Sequence, residues 1–311
     1  MASKPLSRRV LVGALASAGL APGADAARSQ AADEQDRLRY LDAAGRLSVK
    51  ALVNGEGPFD FLIDTGATAS VIASEITDRL GLRRTSTGRL HSIAGAESVA
   101  MTHVASLAVG KRLRRDMTVA VLPRALLLID GVLGLDWLGK ASLLLDFGRQ
   151  RMVVGQPLPI PDAQTAIVES RLIRSGLTLI DARIPRERII AFIDTGSTTT
   201  AGNLALMEAA IRGGSLLGAA GDAELRGVTG QVMHGRAATL TRLTLGEMTL
   251  RNAPLIVGPI HTFDYWGLND RPAIVIGVDI LRAFDTVAID FKRNEVRFRV
   301  PDGSSSLRER R

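Results

Sequence analysis

Phe61-Leu62-Ile63-Asp64-Thr65-Gly66-Ala67-Thr68 ends an apolar run on the triplet Asp-Thr-Gly, and Phe192-Ile193-Asp194-Thr195-Gly196-Ser197-Thr198 does the same in the second half of the chain. With Gly at roughly 7% and Asp and Thr each at roughly 5% of residues, such a triplet is expected ~0.05 times in a chain of this length. One copy would be ordinary turn chemistry after a strand. Two copies in matching surroundings point to a duplicated unit that brings two carboxylates together.

The repeat extends downstream. After the first triplet, Ser74-Glu75-Ile76-Thr77-Asp78-Arg79-Leu80-Gly81 predicts a short helix with Ser74 as N-cap and Gly81 as terminator. After the second, Asn203 is placed to cap a helix over Leu204–Arg212, stopped by Gly213-Gly214. Glycine hairpins follow near Gly95 and Gly230, then alternating strands at Val104–Val109 and Thr239–Leu245. The blocks Gly131-Val132-Leu133-Gly134-Leu135-Asp136 and Ile274-Val275-Ile276-Gly277-Val278-Asp279 come next, and last strands are expected at Arg151–Val154 and Glu295–Val300. Between the halves, Gly155-Gln156-Pro157-Leu158-Pro159-Ile160-Pro161 lacks ladder donors at alternate positions and reads as a linker. The predicted organisation is a lobe at 38–154, a linker at 155–165 and a second lobe at 166–301.

Composition narrows the classes of function. The chain has 311 residues, enough for two cores, and a formal charge of +7 carried mostly by scattered Arg. Aromatics are only 4%, so no stacking platform for nucleic-acid bases is expected, and the basic surface reads as solvated. With no cysteine, disulfides and thiolate zinc sites are excluded. His91, His103, His234 and His261 show no ligand spacing, so neither metal nor cofactor is expected. Gly134–Lys140 imitates a phosphate-binding loop, but Ala141 stands where Ser or Thr must reach magnesium. No Gly-x-Ser-x-Gly elbow is present.

At the N-terminus, Ser7-Arg8-Arg9-Val10-Leu11 opens an apolar stretch to Leu20, and Ala24-Asp25-Ala26 is a small-x-small cleavage pattern. Residues 1–26 thus read as an export signal resembling the bacterial twin-arginine type, too short in its apolar part for a stable membrane anchor. The expected mature protein is periplasmic or secreted.

Two carboxyl groups a few ångströms apart cannot comfortably both ionise, so such a pair holds one proton and offers a base and an acid together. That is the means to activate water and protonate a scissile group without a covalent intermediate.

An apolar strand ending in Asp-Thr-Gly, followed some way on by two apolar residues and Gly, all duplicated in one chain, resembles the pepsin and retropepsin aspartic proteases. The blocks around Gly134 and Gly277 look most like the bacterial retropepsin-like proteins. The resemblance implies an all-β fold of two homologous, barrel-like lobes, a short helix after each triplet, and an active site between the lobes. It implies Asp64 and Asp194 as the catalytic dyad, with Thr65, Gly66, Thr195, Gly196 and Ser197 in support. By the same match, Thr65 and Thr195 bond across the lobe interface, while Gly134 and Gly277 pack behind the catalytic loops. Asp136 and Asp279 read as helix N-caps.

The hairpins at Gly95 and Gly230 resemble flaps, though neither carries the flap tyrosine of pepsin, which favours the viral-like arrangement. Where the first copy has Ala67 the second has Ser197. A hydroxyl there is expected to donate to Asp194, making it the more acidic member and leaving the shared proton on Asp64. Phe263, Tyr265 and Trp266 lie in an insertion absent from the first half, and either line a specificity pocket or fold back on their own lobe. The function implied is an aspartic endopeptidase acting on extended peptide or protein substrates, as a two-lobed monomer. The alternative is a non-catalytic peptide-binding module of the same fold.

Overall fold

The two strands that carry the triplets follow one burial plan: exposed at the start, then buried on both faces over Phe61–Ile63 and Ala191–Ile193. Alternation gives way to a continuous apolar run because these segments lie inside a sheet covered on both sides. The structure is a computed structural model and describes residues 9–11, 37–39, 48–172, 177–218 and 220–302.

Beyond β1 (Arg9–Leu11) and β2 (Arg37–Arg39), the first half runs β3 (Ser48–Val53), β4 (Glu56–Ile63), β5 (Val71–Ala73), α1 (Ser74–Arg79), β6 (Arg84–Ser92), β7 (Gly95–Val109) and β8 (Arg112–Leu122). It closes with α2 (Arg124–Leu127), β9 (Gly131–Leu133), α3 (Leu135–Leu138), β10 (Leu143–Asp146) and β11 (Arg151–Val154). The second half repeats the order from β2 onward. Its elements are β12 (Thr165–Leu172), β13 (Thr178–Ile184), β14 (Glu187–Ile193), β15 (Ala201–Gly202), α4 (Leu204–Arg212), β16 (Gly221–Arg226) and β17 (Val232–Leu245). Then come β18 (Met248–Val257), α5 (His261–Tyr265), β19 (Ala273–Ile276), α6 (Val278–Leu281), β20 (Thr286–Asp290) and β21 (Glu295–Arg299).

Each half closes a six-stranded ring. In the first the order is β7-β3-β4-β9-β5-β8, sealed by β7–β8; in the second it is β17-β13-β14-β19-β15-β18, sealed by β17–β18. The triplet strand pairs in parallel with the strand before the repeated glycine block in both: Ile63 opposite Leu133, and Ile193 opposite Ile276. The fold is therefore all-β with two lobes of one design.

A third sheet, β2-β11-β10-β20-β21-β12, ties the halves together through antiparallel pairs from Leu143 opposite Ile289 to Asp146 opposite Thr286. Residues 155–164 between the halves carry no strand.

Local readings are refined in places. Asn203 caps α4 as expected, accepting from Leu206 N at 2.9 Å. Ser74 does not cap α1: it is the first helical residue, Ala73 precedes it without a side-chain cap, and the Ser74 hydroxyl donates to Glu75. The hairpin at Gly95 and the strand at Val104–Val109 are one continuous strand, because no Gly or Pro interrupts the alternation between them. Of the N-terminal signal read at residues 1–26, only Arg9–Leu11 is described, pairing in parallel with Arg89–His91 of β6; the rest lies outside the described residues. Among the described residues no helix is long and apolar enough to cross a membrane.

Candidate active site

Each triplet begins where its strand leaves the ring. Asp64 N donates to Leu133 O and Asp194 N to Ile276 O, both at 3.0 Å. The two turns then lock onto each other. The Thr65 hydroxyl donates to Ile193 O at 2.7 Å and accepts from Thr195 N at 3.2 Å. The Thr195 hydroxyl returns the pattern, donating to Ile63 O at 2.7 Å and accepting from Thr65 N at 3.1 Å. All four groups are buried, so each bond also satisfies a backbone group that would otherwise be stranded away from water.

The glycines face the opposite aspartate. A Cβ on Gly66 would sit 2.5 Å from Oδ2 of Asp194, and one on Gly196 would sit 2.6 Å from Oδ1 of Asp64. Only a residue without a side chain lets the two carboxyls approach this closely. Gly196→Ala is expected to force the carboxyls apart and to cost about 1–3 kcal/mol of stability, read by denaturant unfolding beside the wild type.

Both carboxyl groups are enclosed, Asp64 at 1% and Asp194 at 4% exposure. Burial holds the Asp194 pKa well above the usual carboxylate range, the charge of Asp64 raises it further, and a hydrogen bond with the Asp64 carboxyl adds to this. Backbone donation from Gly196 N (2.8 Å) and Ser197 N (3.1 Å) to Asp194 Oδ1 opposes the shift without cancelling it.

The expectation for Ser197 is corrected here. Its hydroxyl donates to Thr199 O at 2.7 Å, and it is its amide that reaches the Asp194 carboxylate. The side chain is turned into its own loop, so Asp194 is not made the more acidic partner. Ser197→Ala is accordingly expected to leave the pH–rate profile in place and to cost about 1 kcal/mol of stability for the lost hydrogen bond.

Behind each turn a second latch repeats. Ser70 donates through its amide and hydroxyl to Asp136 at 3.0 and 2.7 Å, and Thr200 does the same to Asp279 at 2.9 and 2.7 Å. Gly134 N and Gly277 N in turn donate to those hydroxyls at 3.1 and 3.0 Å. A Cβ on Gly134 would sit 2.9 Å from Ala67 O, and one on Gly277 2.9 Å from Thr199 O, so both glycines pack against the loops that follow the triplets. Asp136 and Asp279 are not N-caps, since Gly134 and Gly277 hold those positions. They sit one residue inside the helix and fasten the loop that follows each triplet. The signal for this lay in the repeat itself, because Ser70 and Thr200 occupy equivalent places.

The hairpins of β6–β7 and β16–β17 meet at their tips. The hydroxyls of Ser92 and Thr229 are 3.1 Å apart, a Cβ on Gly95 would run into the Gln231 side chain, and one on Gly230 would sit 2.9 Å from Leu126 of α2. The first hairpin also reaches α5, where His261 N donates to Ile93 O at 2.9 Å. His91 Nδ1 lies 3.0 Å from His261 Nε2, and the ring of Tyr265 stacks on His91 at 4.0 Å. This cross-lobe cluster is invisible to sequence reasoning, because its members come from distant segments without a shared spacing.

The aromatic segment follows the fold-back reading in two of its three residues. Phe263 and Trp266 fold back onto Phe192 of their own lobe, with Trp266 stacked at 4.4 Å, whereas Tyr265 crosses to the other. Nor is the segment wholly an insertion: α5 takes the place of α2 and is extended beyond it. Among the described residues, no group of three or more His, Asp or Glu is arranged to hold a metal ion.

Two mutually locked Asp-Thr-Gly turns with joined carboxyls are thus in place. Residues 49–137 match the family model of the aspartyl proteases. The matched stretch spans β4, the first triplet and the Gly134 block, and ends at Trp137 within α3, so the second triplet lies beyond it. No curated protein matches the chain. The family match supports hydrolase chemistry of the protease kind.

Proposed function

We propose that the protein is an aspartic endopeptidase in which Asp64 and Asp194 together activate water against a peptide bond. The observation that carries this is the convergence of two buried triplets through reciprocal threonine bonds, with a hydrogen bond joining their carboxyls. Asp194, its pKa raised by burial, holds the shared proton, and Asp64 carries the charge. The Asp64 carboxylate takes a proton from water as the water oxygen bonds to the peptide carbonyl carbon, while Asp194 gives its proton to the carbonyl oxygen. Asp64 then passes its proton to the amide nitrogen as the C–N bond breaks, while Asp194 takes a proton from a hydroxyl of the tetrahedral intermediate, which leaves Asp194 protonated and Asp64 charged as at the start.

Extended polypeptide is the proposed substrate, entering between the hairpins. Because one chain holds both triplets, the monomer is proposed as the working unit. Export to the periplasm or medium is proposed from the paired arginines and the small-residue pattern ending at Ala26.

A peptide-library digest across about pH 3–7 with the wild type and Asp194→Asn tests the reading. Cleavage by the wild type that vanishes in the variant is the expected result. Peptide binding by both with cleavage by neither would replace it with a binding module.

A further inference from the structure

The proline-containing linker lines two neighbouring cavities that differ in how their arginines are paired. On one side every arginine has a carboxylate. Arg149 and Arg151 meet Asp146 at 3.5 and 2.7 Å, and Arg299 meets Asp162, Asp285 and Asp302 at 2.8, 2.7 and 2.8 Å. On the other side a cavity of about 860 Å³ is lined by Arg112, Arg114, Lys140, Lys292, Arg293 and Arg297, with Asp290 as its acidic member.

Among the described residues, two of these six cations have a carboxylate partner. Arg293 reaches Asp290 at 3.7 Å, and Arg297 pairs with Glu295. Arg112 donates to the carbonyls of Trp137 (3.2 Å) and Leu138 (2.6 Å), and Arg114 to that of Trp137 (2.9 Å). Among the described residues Lys140 and Lys292 pair with no carboxylate. Arg112 is held firmly, its guanidinium 5.2 Å over the Trp137 ring, yet its Nε is enclosed without an acceptor. Burial pushes the Arg112 pKa down and the adjacent Arg114 charge adds to this, so the group is short of negative charge.

A merely solubilising surface would spread like charges apart. Here they converge on one concavity built from both halves: β8 of the first, the turn and strand of β20–β21 of the second, and the linker between. From this cavity, the geometry points to a binding site for a phosphate-bearing oligoanion that bridges the two lobes. Four cations without counter-charge call for several negative charges at once, and guanidinium with ammonium groups suits phosphate oxygens. Free oligophosphate and a phospholipid headgroup share this chemistry.

The test uses the full chain with tripolyphosphate in titration calorimetry, and in parallel with vesicles of phosphatidylglycerol in co-sedimentation. Lys140→Glu/Lys292→Glu reverses two exposed charges without touching the core, and Arg183→Glu/Arg188→Glu makes the same change of net charge on the β13–β14 hairpin. Binding of either probe that weakens about tenfold or more in the first pair and is kept in the second supports the site, and the probe that binds identifies the source. No binding of either probe by the wild type overturns it. So does equal loss in both double variants, which would mean attraction to net charge alone. Thermal unfolding of both variants separates lost binding from lost fold.

Discussion

Asp194→Asn is expected to lower kcat on any cleaved peptide by about 10⁴-fold, with peptide affinity changed by no more than about threefold. Asparagine fills the same volume and can keep a hydrogen bond to Asp64, but it cannot pass a proton to the carbonyl oxygen and take it back. Asp64→Asn should lose as much, since it removes the base.

The same substitution has a signature independent of activity. The folded pKa of Asp194 is raised above its unfolded value of about 3.9. Stability from keeping this group protonated is therefore fully present below that value and is lost as pH rises through the folded pKa. Asparagine never ionises, so the variant should match the wild type in acid and unfold at a higher temperature than the wild type at neutral pH. Scanning calorimetry at several pH values would show it. A variant less stable than the wild type at neutral pH would contradict the raised pKa.

The second large effect concerns access. The proposal that substrate enters between the hairpins requires their joined tips to part before the enclosed carboxyls are reached. The chain contains no cysteine, so Ser92→Cys/Thr229→Cys introduces the only two thiols, at positions whose hydroxyls are 3.1 Å apart. A disulfide there needs only a small approach, to about 2.05 Å between sulfurs. Oxidation should depress activity by about 100-fold or more, and a reductant should restore it, while each single cysteine variant stays active under both conditions. Full activity in the cross-linked protein, with the bond verified by mass, would mean that substrate enters elsewhere.

Much of the site was readable before folding, for reasons that can be named. Thr65, Thr195, Gly66 and Gly196 were legible because the triplet occurs twice in matching surroundings, and their roles came from the family resemblance which that repeat carries. The helix cap at Asn203 was legible because capping is local chemistry. Ser197 misled for a related reason: its place beside Asp194 says where the backbone passes, while the direction of its hydroxyl is settled by which acceptor is nearer, and Thr199 O is. Asp136 and Asp279 misled likewise, since an acidic residue near a helix start suits a cap and a tertiary latch equally well. The His91, His261 and Tyr265 cluster and the contact of Ser92 with Thr229 had no local signal at all.

By itself the sequence determined that the chain is a duplicated, strand-rich unit with two equivalent acidic turns, because strand alternation and turn chemistry act over a few residues and the repeat shows them twice. The all-β lobes came from the resemblance that the repeat carries. The tertiary structure alone decided which groups complete those turns across the interface. It decided that both carboxyls are buried together, that the hairpin tips meet at Ser92 and Thr229, and which described cations lining the linker cavity have no carboxylate partner. Burial, charge proximity and long-range contact depend on distances between segments far apart in the chain, and no spacing within the sequence encodes them.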